Sequence, residues 1–412
     1  MRTKDVFLGL AIASVAAFSP HATAAPAIAA WEAAVFEAEE FPSDDPDTLR
    51  LLAGLFLAMY YAGAEVDDRY DLGTDLPNAE ATPDEAAAAA GRAYLNTYFK
   101  TNTRSLMRVR RLGRRDDLQA LATASAELAY EMATRTVSDP VHYRPFTVPG
   151  RYVPTQIPND VVTAHEAHFA YDPARATKLP APPRPDSDAY AASYNETKRV
   201  GGTTSDVRTE EQAKSSMIYD LQDPHPMIYR IMDRRDLTLF EQARIMAIYN
   251  LATEDLGAAQ FAGKLHFQSW RPITAIRNGD IDGRDDTDSD PGWTPLLRTP
   301  NSSEYPCGHC TFVSATAHLL EVLLPLQEGE QVVILADDIY TKDENRGFEG
   351  DLVSYIEGHR IELATYQDYA TVGAMSRIYN GAHFRYSTDM GLRLGKDVAD
   401  AILEAWDGLP EE

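Results

Sequence analysis

Helix-starting signals recur along this 412-residue chain, whereas signals typical of β-strands are few. Residues 82–85 (Thr-Pro-Asp-Glu) form a capping box with proline at the first helical position, and the alanine-rich stretch after them predicts a helix to about Phe99. Residues 209–212 (Thr-Glu-Glu-Gln) form a second capping box. Further helices are predicted over residues 44–62, 115–136 and 389–406. We therefore predict an all-α fold built from one or two helical bundles.

Prolines and aromatic residues crowd the stretch from about residue 137 to 187, which predicts an irregular, proline-rich wrap rather than further helices. We predict three parts of the chain on this basis. They are a signal peptide over residues 1–24, an N-terminal helical region with the wrap over 25–220, and a C-terminal helical domain over 221–412.

The first 24 residues have the pattern of a secretory signal. Arg2 and Lys4 precede an apolar run over residues 6–18, and residues 22–24 (Ala-Thr-Ala) have the small side chains of a cleavage site. We expect cleavage near Ala24 and a secreted or periplasmic protein. The uncharged run over residues 51–64 is too short to cross a bilayer, so no membrane span is predicted.

Three short segments in the last third of the chain together predict a pocket for a tetrahedral oxyanion. The first pairs Lys264 with Arg271, the second is Pro-Cys-Gly-His over residues 306–309, and the third contains Arg377 and His383. Three permanent cations, two histidines and a glycine turn suit an anion of the size and charge of phosphate. Each segment alone has a structural explanation, so the prediction depends on their joint occurrence.

The spacing within the first segment predicts a shared helix face. Residues seven apart in a helix differ by roughly 20° in azimuth, so Lys264 and Arg271 are expected to project from one face, two turns apart. Pro272 cannot continue that helix, which leaves Arg271 at its end.

The second and third segments supply donors of other kinds. An apolar helical pattern follows His309, so the amides of Gly308 and His309 are expected at a helix N-terminus, where anions bind well. Arg377 adds a forked donor that matches oxyanion geometry. With His383 as a second imidazole, one histidine can bond to the central atom of the anion and the other can move protons.

These segments, in this order, resemble the signature of the superfamily of vanadium-dependent haloperoxidases and type 2 phosphatidic acid phosphatases. The similarity to bacterial haloperoxidase-like proteins extends over residues 254–256, 264–277, 290–297 and 304–306. A weaker similarity covers residues 149–155 and 182–190. The strong resemblance covers about residues 240–398. It implies the helical-bundle fold of that superfamily.

The resemblance also implies roles for the site residues. His383 would ligate the vanadium of vanadate or, in a phosphatase, attack phosphorus, and His309 would be the acid–base group. The oxygens of the anion would be bound by a common set of groups: Lys264, Arg271, Cys307, the Gly308 amide and Arg377. Peroxide and halide would be the substrates of a haloperoxidase, and a small phosphate ester that of a phosphatase.

The chain departs from the family pattern at two places. Cys307 stands where serine is usual, and Cys310 is the only other cysteine. Although Cys-Gly-His-Cys also occurs in disulfide isomerases, no strand leads into it and no tryptophan precedes it, which disfavours that function. Because disulfides persist in exported proteins, the two cysteines form either a reversible bond or two free thiols. Ser387 stands where many relatives have aspartate, which puts in question the carboxylate that would orient His383.

Six aspartates crowd the loop between the first two segments: Asp280, Asp282, Asp285, Asp286, Asp288 and Asp290. The glycine and glutamate positions of a helix–loop–helix calcium site are not matched, so a solvated loop is favoured over calcium binding.

The net charge of −25 argues against nucleic acid and anionic membranes as partners. Small inorganic anions suit a basic pocket within an acidic chain, and the sequence leaves homo-oligomers open. Three functions follow. The first is a vanadate-dependent haloperoxidase; the second is an acid phosphatase that uses a phosphohistidine in the same pocket. The third is an oxyanion-binding protein without turnover.

Overall fold

The structure is a computed structural model, and the predicted signal peptide lies outside the residues it describes. These are residues 27–38, 46–70, 72–99, 109, 112, 114–134, 147–154, 168–338 and 354–406. Within these ranges no helix combines the length and the apolarity needed to cross a membrane.

Helices dominate the described chain, which confirms the all-α prediction. Those that precede the first segment of the site are α1 (Ala29–Ala38), α2 (Pro46–Glu65), α3 (Pro83–Tyr98), α4 (Gln119–Thr134), α5 (Asp188–Gly201), α6 (Glu210–Leu221) and α7 (Pro224–Met232). The helices that carry or flank the three segments of the site are α8 (Leu239–Phe267), α9 (Pro272–Arg277), α10 (Gly308–Leu323), α11 (Tyr366–Tyr379) and α12 (Arg385–Ala405). Two short antiparallel strands, β1 (Val332–Leu335) and β2 (Arg360–Leu363), pair with Val332 opposite Leu363.

Helix α8 is the central element of the fold. It has 29 residues, and it contacts α2 and α3 on one side and α10 and α12 on the other. Its apolar residues are therefore buried around most of its circumference, as expected of a helix enclosed by others. One continuous buried cluster joins Phe56 of α2 and Ile248 of α8 to Leu320 of α10 and Val398 of α12. The division near residue 220 stays a prediction.

Local capping signals set several helix boundaries. Thr82 and Thr209 each accept a hydrogen bond from the backbone of the third helical residue, and the side chains of Glu85 and Gln212 bond back, which confirms both predicted capping boxes. The helix predicted from residue 389 begins earlier, at Arg385, because residues 385–388 already bend into its first turn.

The described part of the proline-rich wrap is anchored to α8 by a buried carboxylate. Asp255 accepts hydrogen bonds from the backbone N–H groups of Phe169, Ala170 and Tyr171 at 2.5–2.8 Å. Burial raises the pKa of Asp255, and the three donors oppose that rise. A second link joins Arg151 to Ser269 as an isolated antiparallel bridge.

In the acidic loop, carboxylates bond to protein donors. Asp282 accepts hydrogen bonds from the backbone of Arg284 and the hydroxyl of Thr287, both at 2.9 Å. The Arg284 side chain bonds to Asp286 and to Asp188 of α5 at 2.6–2.7 Å. The loop is thus tied to α5 by a salt bridge.

Candidate active site

Lys264 and Arg271 do not share one helix, contrary to the sequence-based prediction. Helix α8 ends at Phe267, where Gln268 adopts a left-handed conformation with φ of 48°. Arg271 is the N-cap residue of the separate helix α9, with Pro272 at its first position. The two basic side chains therefore reach the same region from two chain segments, because the left-handed residue turns the backbone between them.

Both cations are held by the loop that precedes α10. Lys264 Nζ donates to the Ser303 carbonyl at 2.7 Å and lies 3.3 Å from that of Glu304. Arg271 Nε donates to the Ser302 carbonyl at 2.7 Å, and its Nη2 donates to the Ser302 hydroxyl at 2.9 Å. Both side chains are buried, so these contacts fix the positions of two charges away from bulk water.

His383 lies at the centre of the site, in the link between α11 and α12. Its Nδ1 is 3.1 Å from Oε1 of Glu304, which also accepts a hydrogen bond from the Phe384 backbone at 3.0 Å. Its Nε2 is 2.8 Å from Nη1 of Arg271. Because a guanidinium only donates, this contact requires a lone pair on Nε2. The proton of the neutral ring is then on Nδ1 and is donated to Glu304.

The electrostatic surroundings favour the neutral form of His383. Burial, followed by the positive charges of Arg271, Lys264 and Arg377, lowers the pKa of His383 well below its usual range. Burial also raises the pKa of Glu304 to about 7, against the opposing effects of the Phe384 N–H and of Arg271. At slightly alkaline pH the pair is therefore a carboxylate and a neutral imidazole.

Arg377 enters the site from the last turn of α11, and its side chain is fully buried. Its Nη1 forms an ion pair with Asp220 at the end of α6. Its Nε and Nη2 make no hydrogen bond with any residue that the structure describes. Two buried donors without an acceptor are costly, so this side chain is suited to a ligand with acceptor oxygens.

Gly308 and His309 lie at the start of α10, as predicted. The helix supplies no acceptor for its first amides, which makes this end favourable for an anion. A Cβ on residue 308 would collide with Oε1 of Gln260, so a larger residue here would have to displace the Gln260 side chain. The half-buried His309 has its Nε2 3.4 Å from the Asp220 carbonyl, and its charge acts on His383.

Cys307 and Cys310 form a disulfide in the structure, and whether this bond is reversible stays a prediction. Cys307 is the N-cap residue of α10, and its sulfur accepts a hydrogen bond from the Cys310 backbone at 3.2 Å. A bonded sulfur has no S–H to donate, so in this state Cys307 can position the loop but cannot donate to an anion.

The sequence-predicted site residues converge, and three further residues complete their surroundings. Glu304, Asp220 and Gln260 are buried side chains that contact or confine the predicted ones. Asp220 could have been suspected as a single acid within the buried stretch 217–221 of α6. Glu304 ends a polar stretch shortly before the second segment. Nothing in that stretch indicated that Glu304 would contact His383.

Comparison with known proteins agrees with this arrangement. The family described as the VCPO second helical-bundle domain matches residues 244–410, which include all three segments. A vanadium chloroperoxidase from Curvularia inaequalis is 28% identical over 172 residues. The region over residues 244–410 is thus a helical-bundle domain of the vanadium chloroperoxidase type.

The match with the Curvularia protein covers 35% of this chain and 28% of that relative, so the chain spans less than a third of its length. Solved structures share the fold over most of the chain. A bacterial vanadium-dependent iodoperoxidase superposes with a TM-score of 0.66 at 19% identity and covers 92% of this chain and 95% of its own. An apo-type bacterial vanadium-dependent chloroperoxidase gives 0.65 at 17% identity, with 88% and 93% covered. These likenesses establish the fold.

Proposed function

We propose that this chain is an exported vanadate-dependent haloperoxidase that oxidises halide with hydrogen peroxide. The observation that supports the proposal most is the buried set of three cations around Nε2 of His383. Lys264, Arg271 and Arg377 are each at most 2% exposed. Asp220 and Glu304 bring negative charge to the site among the described residues, and a small oxyanion would add to the charge that offsets the three buried cations. Export rests on the sequence of residues 1–24.

The side chains present suit vanadate. Nε and Nη2 of Arg377 are buried donors without an acceptor among the described residues, and oxyanion oxygens would supply one. The lone pair on Nε2 of His383 is the imidazole donor that a transition metal requires. A ligand at this atom would displace the 2.8 Å contact with Arg271, whose Nη1 could then turn to an oxygen of the anion.

The chain's own groups have distinct roles in this proposal. His383 holds the anion, and Glu304 keeps the ring proton on Nδ1 so that Nε2 stays available. Lys264, Arg271, Arg377 and the first amides of α10 bind the oxygens. His309, which is less buried than His383, delivers and removes protons at the open side of the site. When bound, vanadate supplies the Lewis acidity that activates peroxide toward halide.

An acid phosphatase is the second candidate, and one observation specifically favours it. A nucleophile held by a third group is typical of covalent catalysis, and Glu304 holds His383 in this way. Nε2 of His383 would attack the phosphorus of a monoester and form an N–P bond as the ester P–O bond breaks. His309 would give its proton to the departing alcohol and later remove one from the water that hydrolyses the phosphohistidine.

One purified batch tests both candidates. We expect bromination of an organic acceptor with vanadate, bromide and hydrogen peroxide, and loss of this activity without vanadate. Hydrolysis of a phosphate monoester in the absence of vanadate and peroxide would support the phosphatase instead. Tight vanadate binding without either activity would leave the oxyanion-binding protein. The His383→Ala variant, prepared in parallel, identifies contaminating activity.

A further inference from the structure

A second cluster of potential ligand atoms lies away from the anion site, where α1 meets the junction of α6 and α7. Glu32 comes from α1, and Asp223 and His225 come from the first residues of α7 and its cap. Nδ1 of His225 is 3.3 Å from Oε1 of Glu32 and 3.1 Å from Oδ1 of Asp223. One donor atom from each residue can be chosen so that all lie within 4.8 Å of one another. A single ion could therefore contact all three side chains.

The cluster is largely buried, and several of its polar atoms lack a well-aligned hydrogen bond. His225 is 4% exposed and Glu32 is 6% exposed. Both ring nitrogens of His225, Oε2 of Glu32 and Oδ1 of Asn250 lack a well-aligned hydrogen bond with any described residue. Asp223 and Asn250 nevertheless lie close enough to act on the His225 ring. Buried polar atoms are normally satisfied, so these atoms indicate room for a further partner.

Other histidine–carboxylate pairs in the described chain look different. His318 is 2.6 Å from Asp400, and His359 is 3.2 Å from Glu211, each through Nε2 in a hydrogen bond. In both pairs the carboxylate side chain is at least 40% exposed, so water can solvate it. One nitrogen of the His225 ring instead lies within 3.3 Å of two carboxylates at most 16% exposed, an arrangement that an ion bound by all three groups would also fit.

We propose that Glu32, Asp223 and His225 bind a divalent transition-metal ion, with the Asn250 carbonyl oxygen as a further ligand. The donor set is one imidazole nitrogen, two carboxylates and one amide carbonyl oxygen, without sulfur, which suits Zn²⁺. The two carboxylates beside the ring favour positive charge at this place, and a divalent ion that displaces the ring proton would supply it.

Such an ion would be structural, with a consequence for the anion site. It would fix α1, an N-terminal helix, to the segment that begins three residues after Asp220. Asp220 in turn pairs with Arg377 and offers its carbonyl to His309. The ion would thus stabilise one wall of the anion site without touching it.

Zinc binding by the full chain tests the proposal independently of any enzymatic activity. Protein treated with a chelator and dialysed is titrated with Zn²⁺, and bound metal is measured by mass spectrometry and calorimetry. We expect one tightly bound zinc per chain and a rise in thermal midpoint on binding. Glu32→Gln and His225→Gln should each weaken binding at least tenfold, and His318→Gln should leave it unchanged.

Two outcomes would overturn the proposal: wild-type protein that retains no zinc, or zinc that binds equally well to wild type and both cluster variants. The second outcome would assign the metal elsewhere, for example to His309 and His383. The wild-type titration decides the matter even if a cluster variant fails to fold. Asp223→Asn offers a milder change, since asparagine can still cap α7.

Discussion

Nδ1 of His383 lies 3.1 Å from Oε1 of Glu304, and both side chains are buried. This pair supplies the carboxylate that the sequence led us to question, because Ser387 occupies the position where relatives have aspartate. Ser387 remains nearby, with its hydroxyl 3.4 Å from the same ring nitrogen. The orientation of the ring is thus determined by a residue 79 positions away in the sequence.

Glu304→Gln should weaken vanadate binding by about 10- to 100-fold, the usual effect of removing a partner that orients a ligand. Burial raises the pKa of Glu304 to about 7, so the wild-type carboxylate becomes protonated as pH falls through that value. Vanadate affinity should therefore decrease as pH is lowered through about 7. The Glu304→Gln variant should not show this decrease. Titrations with vanadate from pH 6 to 9 measure both effects.

Ser387→Ala is the matched control, because it removes a hydroxyl from the same ring and leaves the carboxylate in place. Its affinity at alkaline pH should stay close to that of wild type. The decrease in affinity should remain but move to slightly higher pH, because the Ser387 hydrogen bond lowers the pKa of Glu304. If the Glu304→Gln variant kept the pH dependence of wild type, a group other than Glu304 would be responsible for it.

Arg377→Ala or Lys264→Ala should lower vanadate affinity at least tenfold. Each substitution removes one charge-assisted contact, which contributes about 1.5–3 kcal/mol. Arg393→Ala is a suitable control, since its side chain on α12 is 62% exposed and lies 4.0 Å from its nearest carboxylate partner. Unchanged vanadate affinity in a folded Arg377→Ala variant would show that vanadate binds elsewhere.

The features that the sequence predicted well are local. A capping box involves residues three apart, and a glycine at a helix start concerns its immediate neighbours, so Thr82, Thr209 and Gly308 could all be interpreted from the sequence. The segments of the site could be found because each combines several unusual residues over a short distance.

The features that the sequence did not reveal depend on tertiary contacts. Helical spacing placed Lys264 and Arg271 on one face, but the left-handed conformation of Gln268 ends the helix between them, and glutamine gives little sign of it. The contact of Glu304 with His383 joins two loops from different parts of the chain. Neither loop has a periodic pattern from which a partner could be inferred.

The two histidines should respond differently to substitution. His383→Ala should abolish both vanadate retention and turnover, since it removes the atom that holds the anion. His309→Ala should keep appreciable vanadate binding and lose about 10²–10⁴-fold in turnover, the usual contribution of acid–base catalysis. Equilibrium dialysis with vanadate, combined with bromination rates, separates the two effects. The opposite pattern would mean that the roles are exchanged.

The disulfide between Cys307 and Cys310 should make the site sensitive to thiol reductants. The bond closes the first turn of α10 around Gly308 and His309, so its reduction should loosen the loop that presents the anion-binding amides. Both sulfurs are fully buried, and reduction should therefore be slow until mild denaturant opens the structure. Activity should fall with reduction and recover on reoxidation, whereas Cys307→Ser should be insensitive to reductant. The measurement is a count of free thiols in denatured protein from the export compartment, with and without prior reduction. We expect no free thiol before reduction and two after it. Two free thiols in every sample would contradict the hypothesis.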